Sequence, residues 1–192
     1  MTVQIVALVG SLRAGSQNRR LAEAAVKLAP EGIELHIQED LEKVPFYNED
    51  TDVEGLVPAH AAALRAAVAR ADAVLLVTPE YNGTMPAVLK NAIDWLSRPF
   101  GAGALNGKPV AVIGASAGQY GGTWAHQDAR KAAAAARATV VEDITLSIPF
   151  SLTRFADTHP LDDNEIADQL KSVLAALAQA AVPAGVGAAR AR

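Results

Sequence analysis

Val3-Gln4-Ile5-Val6-Ala7-Leu8-Val9 runs directly into Gly10-Ser11-Leu12-Arg13-Ala14-Gly15-Ser16-Gln17-Asn18. The first seven residues are almost wholly apolar and read as a strand buried on both faces. From Arg19 to Leu28, Leu21, Ala24, Ala25 and Leu28 recur at helical spacing. A loop of small, hydroxyl and amide residues therefore turns a strand into a helix. Such a helix start offers unpaired N–H groups and a partial positive charge, which suits an anion. Ser11, Ser16 and Asn18 add side-chain donors, and Arg13 adds a full charge. The bland alternative is an ordinary capped strand-to-helix turn.

The type of phosphate follows from what the loop lacks. Gly10, Gly15 and Ser16 imitate the start of a triphosphate-binding loop, but Gln17 stands near the place of its lysine. A G-x-G-x-x-G dinucleotide loop is also absent, because Leu12 occupies the position of the second glycine. Side chains in place of glycines suit one terminal phosphate monoester.

Outward from this stretch, strands and helices alternate. Ile33 to Ile37 reads as a second strand, Ala73 to Thr78 as a third and Pro109 to Gly114 as a fourth, with a last strand starting at Thr139 to Val141. Helices are expected at His60 to Ala71, after Pro86, at Thr123 to Arg137 and at Asn164 to Ala181. The helix after Pro86 carries Val88, Leu89, Ala92, Ile93 and Leu96 as its apolar stripe. Asp40 to Pro58 is polar and irregular, and its Phe46 and Tyr47 either meet a partner subunit or cover the local core. This alternation predicts an α/β fold, a doubly wound five-stranded parallel sheet in the order 2-1-3-4-5. Residues 1–182 read as one domain, and 183–192 as a disordered tail.

Composition narrows the function. The 192 residues include no cysteine, which excludes disulfides and thiol catalysis. The formal charge of −4, without a basic stripe, argues against nucleic acid. No run is clean enough to span a bilayer, and no signal peptide is read at the N-terminus, so a cytoplasmic protein is expected. The four histidines are scattered without ligand spacing, so no metal site is expected.

Two further loops follow predicted strands: Pro79-Glu80-Tyr81-Asn82-Gly83 and Ala115-Ser116-Ala117-Gly118-Gln119-Tyr120-Gly121-Gly122. In the order 2-1-3-4-5, the first and third strands flank the switch point where ligands bind, and the fourth lies next to it. All three loops then converge.

Gly10-Ser11-Leu12-Arg13 with Ser16 and Asn18, Pro79-Glu80-Tyr81-Asn82-Gly83 and Leu89-Lys90-Asn91-Ala92-Ile93-Asp94-Trp95 together resemble the NADPH-dependent FMN reductase family, a flavodoxin-like group that includes quinone, chromate and azo-dye reductases. The resemblance covers roughly residues 1–150. It implies that Ser11, Arg13, Ser16, Gln17 and Asn18 hold the phosphate of FMN. It also implies that Pro79, Glu80, Tyr81, Asn82 and Gly83 line the ring and that Ser116 and its neighbours close the other side. Two electrons would pass from NADPH or NADH, through FMN, to a quinone, an azo compound, chromate or free flavin. No side-chain acid or base is assigned. A homodimer or homotetramer is implied as well. Trp124 and His126 depart from the family pattern, where an arginine and a glutamine are common. The competing readings are a non-enzymatic flavodoxin-type electron carrier and a flavin-free binding module.

Overall fold

The computed structural model describes residues 2–182. Five parallel strands, β1 (Val3–Val9), β2 (Ile33–Ile37), β3 (Ala73–Val77), β4 (Pro109–Ala115) and β5 (Thr139–Ile148), form one sheet. Their spatial order is β2-β1-β3-β4-β5, as the alternation predicts. The 183–192 tail lies outside the described residues.

Period-two alternation along the strands sends side chains to two cores. Ile5, Ala7, Val9, Leu75 and Val77 pack against α1 (Gln17–Lys27) and α6 (Asn164–Ala181) through Leu21, Leu170, Leu174 and Leu177. Val6, Leu8, Val74, Leu76 and Val112 face α2 (Ala59–Arg70), α3 (Ala87–Leu96) and α4 (Thr123–Ala135). Each large aliphatic side chain buried this way contributes about 1.5–3 kcal/mol. Alanine supplies α4's side of this contact at 125, 129 and 133, which lets the helix lie close to the sheet.

The Leu89–Trp95 motif is structural. Asn91 accepts from Tyr47 N at 2.8 Å and donates to the carbonyls of Val44 and Pro45. Trp95 Nε1 donates to Pro45 O at 2.8 Å, and Tyr47 packs edge-on against its ring at 5.0 Å. Tyr47 thus covers the local core, whereas Phe46 is exposed.

Several boundaries differ from the sequence reading. α1 begins at Gln17 rather than Arg19, because Ser16 caps it by accepting from Arg19 N at 3.1 Å. β5 begins at Thr139, as expected, and continues to Ile148. Its pairing with β4 is irregular: Val110 meets Val140, but Val112 meets Thr145. Arg130 fills this bulge, its Nη2 donating to Val112 O at 3.2 Å and to Ile144 O at 2.6 Å. A short helix, α5 (Ser151–Arg154), follows β5 and was not expected from the sequence.

His126, 1% exposed, lies under the carboxyl ends of β3 and β4. Its Nδ1 is 2.8 Å from Ser147 Oγ, while Nε2 has no hydrogen-bond partner among the described residues. Gly114 is required beside it: a Cβ there would stand 2.0 Å from Thr78 O and 2.7 Å from His126 Nε2. Burial, reinforced by the nearby Arg130 charge, lowers the His126 pKa from 6.5 to about 4. Between those values the unfolded chain binds the proton and the folded chain does not. The stability this neutral imidazole contributes is full above pH 6.5 and is lost as pH falls, by on the order of 3 kcal/mol below pH 4. Urea unfolding at pH 7.5 and 4.5 is expected to show this loss in the wild type and a smaller one in His126→Gln; equal losses would contradict the account.

Candidate functional site

The three loops after β1, β3 and β4 meet at the carboxyl edge of the sheet. Between them is a cavity of about 340 Å³, lined by Ser11, Arg13, Ser16, Gln17, Asn18, Pro79, Glu80, Tyr81 and Ser116. Nine of the eleven residues singled out in the sequence are thereby brought together. Asn82 and Gly83 stand on the tip of the β3 loop. There Tyr81 and Thr84 pair in both directions, at 3.0 and 3.1 Å, across a two-residue turn. Asn82 and Gly83 both have positive φ, 53° and 76°, which an Asn-Gly pair tolerates. This turn fixes the direction of the Pro79–Tyr81 backbone along the cavity wall.

The loop after β1 is rich in uncommitted donors. Of the backbone N–H groups from Ser11 to Asn18, only that of Ser16 meets a protein acceptor among the described residues, the Arg13 carbonyl at 3.0 Å. Arg13 is exposed and joins no ion pair among those residues. Other side chains are already engaged. Ser16 Oγ caps α1. Asn18, 3% exposed, donates to Ala115 O at 2.8 Å and accepts from Ala115 N at 2.9 Å. Glu80 caps α4, its Oε2 accepting from the backbone N–H groups of Trp124 and Ala125 at 3.1 and 3.2 Å. Ser116 Oγ accepts from Gly118 N at 3.3 Å.

Four further residues line the cavity: Ala115 and Ala117, the expected neighbours of Ser116, and two that the sequence reading did not single out, Ser151 and Leu152. The last two come from α5, which Ser151 N fastens to Ser116 O at 2.9 Å and Phe150 N to Gly118 O at 3.2 Å. The alternation Ile144, Leu146, Ile148 carried the signal that β5 continues and delivers α5 here. Tyr81, Tyr120, Trp124 and Phe150 are all at least half exposed around these loops, and Tyr120 and Trp124 pair at 5.5 Å.

A larger cleft of about 690 Å³ runs between α3 and α4, sharing Tyr81 with the first. Met85, Pro86, Ala132 and Ala135 make much of its lining, with Lys90, Asp128 and Lys131 as its charges. The smaller cavity falls within the roughly 300–1,000 Å³ of ordinary small-molecule sites and offers an anion many donors against one engaged carboxylate. That donor set fits a phosphate monoester.

Comparison with known proteins agrees. The sequence model described as NADPH-dependent FMN reductase matches residues 3–153. The chain is 46% identical over 121 residues to a 2-hydroxy-1,4-benzoquinone reductase from a Burkholderia species; the match covers 63% of this chain and 64% of that protein, just under two thirds of its length. It is 38% identical over 164 residues to an NAD(P)H-dependent FMN reductase from Pseudomonas aeruginosa, covering 85% of this chain and 76% of the relative. Among solved structures, the flavoenzyme NAD(P)H:(acceptor) oxidoreductase FerB from Paracoccus denitrificans superposes with a TM-score of 0.82 at 30% identity, covering 94% of this chain and 97% of that one. By sequence and by fold, the chain belongs to the NADPH-dependent FMN reductase family.

Proposed function

We propose that this protein is an FMN-dependent NAD(P)H oxidoreductase that reduces a small acceptor, with quinones the favoured class. The observation that carries the reading is the convergence of three loops on a donor-rich cavity where the strand order reverses. The names of the relatives support the quinone assignment. Azo compounds, chromate and free flavin belong to the same acceptor range.

In this reading Ser11, Arg13, Gln17 and the first N–H groups of α1 hold the FMN phosphate. Ser16 and Asn18 shape that loop from behind. The Pro79–Gly83 backbone borders the ring on one side, and Ser116 with the α5 segment borders it on the other. Bound flavin supplies two-electron transfer between a reduced nicotinamide and the acceptor. Everything else the chain contributes is position. Glu80, the one carboxylate lining the cavity, is held by two α4 amides and is assigned no proton transfer. The exposed Tyr81, Tyr120 and Trp124 offer aromatic faces to a planar acceptor.

Association of two or four copies is part of the proposal. The cleft between α3 and α4, with its apolar lining, supports it. So is a cytoplasmic location, where reduced nicotinamide is available. Among the described residues, no helix is long and apolar enough to cross a membrane.

Arg13→Ala is expected to weaken FMN binding by about 1.5–3 kcal/mol, the contribution of a hydrogen bond to a charged group. Quenching of flavin fluorescence measures this, and an unchanged affinity would remove Arg13 from the phosphate site. The protein reconstituted with FMN and kept free of oxygen is expected to bleach on addition of NADPH or NADH, and to regain its colour on addition of a benzoquinone. Bound flavin that ignored both nicotinamides would overturn the enzymatic reading in favour of an electron carrier.

A further inference from the structure

Arg20 stands one helical turn beyond Gln17 on α1. Its Nη1 donates to Gln17 Oε1 at 3.0 Å and to Phe155 O at 3.2 Å, and its Nη2 donates to Thr158 O at 3.2 Å. One guanidinium therefore joins two walls of the cavity. Gln17 is the first residue of α1, where the loop after β1 ends, and the segment ending at Phe155 carries Ser151 and Leu152. Phe155 is fully buried, so the carbonyl that Arg20 holds belongs to a fixed point of the core.

The chemistry of the pair is directional. A guanidinium carries donors and no acceptor, so the Gln17 amide can present only its oxygen to Arg20. Its NH₂ is then turned away from Arg20, on a residue that lines the cavity. An amide free to rotate offers a ligand either end, whereas this one is committed to donating. The Arg20 charge itself meets no carboxylate among the described residues; its three acceptors are all neutral oxygens.

We propose that Arg20 is a positioning residue for the FMN phosphate, acting through Gln17, whose NH₂ it aims at the anion. This rests on the FMN reading. The gain is preorganisation: the donor is aligned before the ligand arrives, so less ordering is lost on binding.

A double-mutant cycle with two ligands tests the proposal. Affinities of the apoprotein for FMN and for riboflavin, which lacks the phosphate, are measured for wild type, Arg20→Met, Gln17→Ala and the double variant. The wild type is expected to prefer FMN strongly. Arg20→Met should weaken FMN about tenfold and leave riboflavin within twofold; in the Gln17→Ala background it should cost twofold or less. A tenfold cost that persists without Gln17, or that falls equally on riboflavin, would reduce Arg20 to a structural tether and overturn the proposal. No preference for FMN in the wild type would instead remove the reading beneath it. Gln17→Glu keeps an oxygen facing Arg20, so the fold is retained if Arg20→Met fails to fold. It replaces the aimed NH₂ with a carboxylate oxygen and is expected to weaken FMN at least a hundredfold with riboflavin unchanged; unaltered FMN binding would also overturn the proposal.

Discussion

Two hydrogen bonds between the Asn18 amide and the Ala115 peptide hold the functional end of this molecule together. Asn18 lies in the first turn of α1, and Ala115 is the last residue of β4, with β3 between β1 and β4 in the sheet. The amide thus reaches past the strand-order switch and ties the loop after β1 to the strand that delivers Ser116. Both bonds are shielded from water, where an unmade hydrogen bond would cost about 1–3 kcal/mol. Gly114 lets the neighbouring strand ends approach, since any side chain there would collide with the Thr78 carbonyl. With these contacts made, the three loops have little freedom left in how they face each other.

This arrangement divides the polar residues of the site into two kinds. Ser16, Asn18, Glu80 and Ser116 are occupied with backbone groups and shape the cavity. Ser11, Arg13, Gln17 and the free amides of the loop are left with donors to offer. The division is what supports reading the cavity as an anion site. It also fits the proposed phosphate site to a chain with a formal charge of −4: the nearby carboxylate is committed to a helix N-terminus.

Much of this was legible in the sequence. The apolar runs at Val3–Val9 and Ala73–Val77 mark central strands because both of their faces are covered, and the amphipathic stripes of α3 and α6 sit where periodicity predicts. The three loops were visible because small and polar residues follow those strands abruptly. The engagement of Asn18 and Glu80 was not legible. Their partners lie 97 and 44 residues away, and nothing local distinguishes a ligand donor from a structural one. Ser151 and Leu152 were missed because Glu142 and Asp143 interrupt β5 at its bulge, hiding the alternation that resumes at Ile144. The tie from Arg20 to Phe155 and Thr158 likewise spans 135 residues or more, beyond the reach of helical spacing.

In the proposed function these three loops, and not the larger cleft between α3 and α4, receive the flavin. A crystal structure of the protein grown with FMN tests it most directly. The phosphate is expected within hydrogen-bond distance of Ser11 and the Gln17 amide, with the ring along the Pro79–Gly83 backbone. Flavin density in the cleft lined by Met85, Pro86 and Ala132, with the loop after β1 left empty, would contradict it.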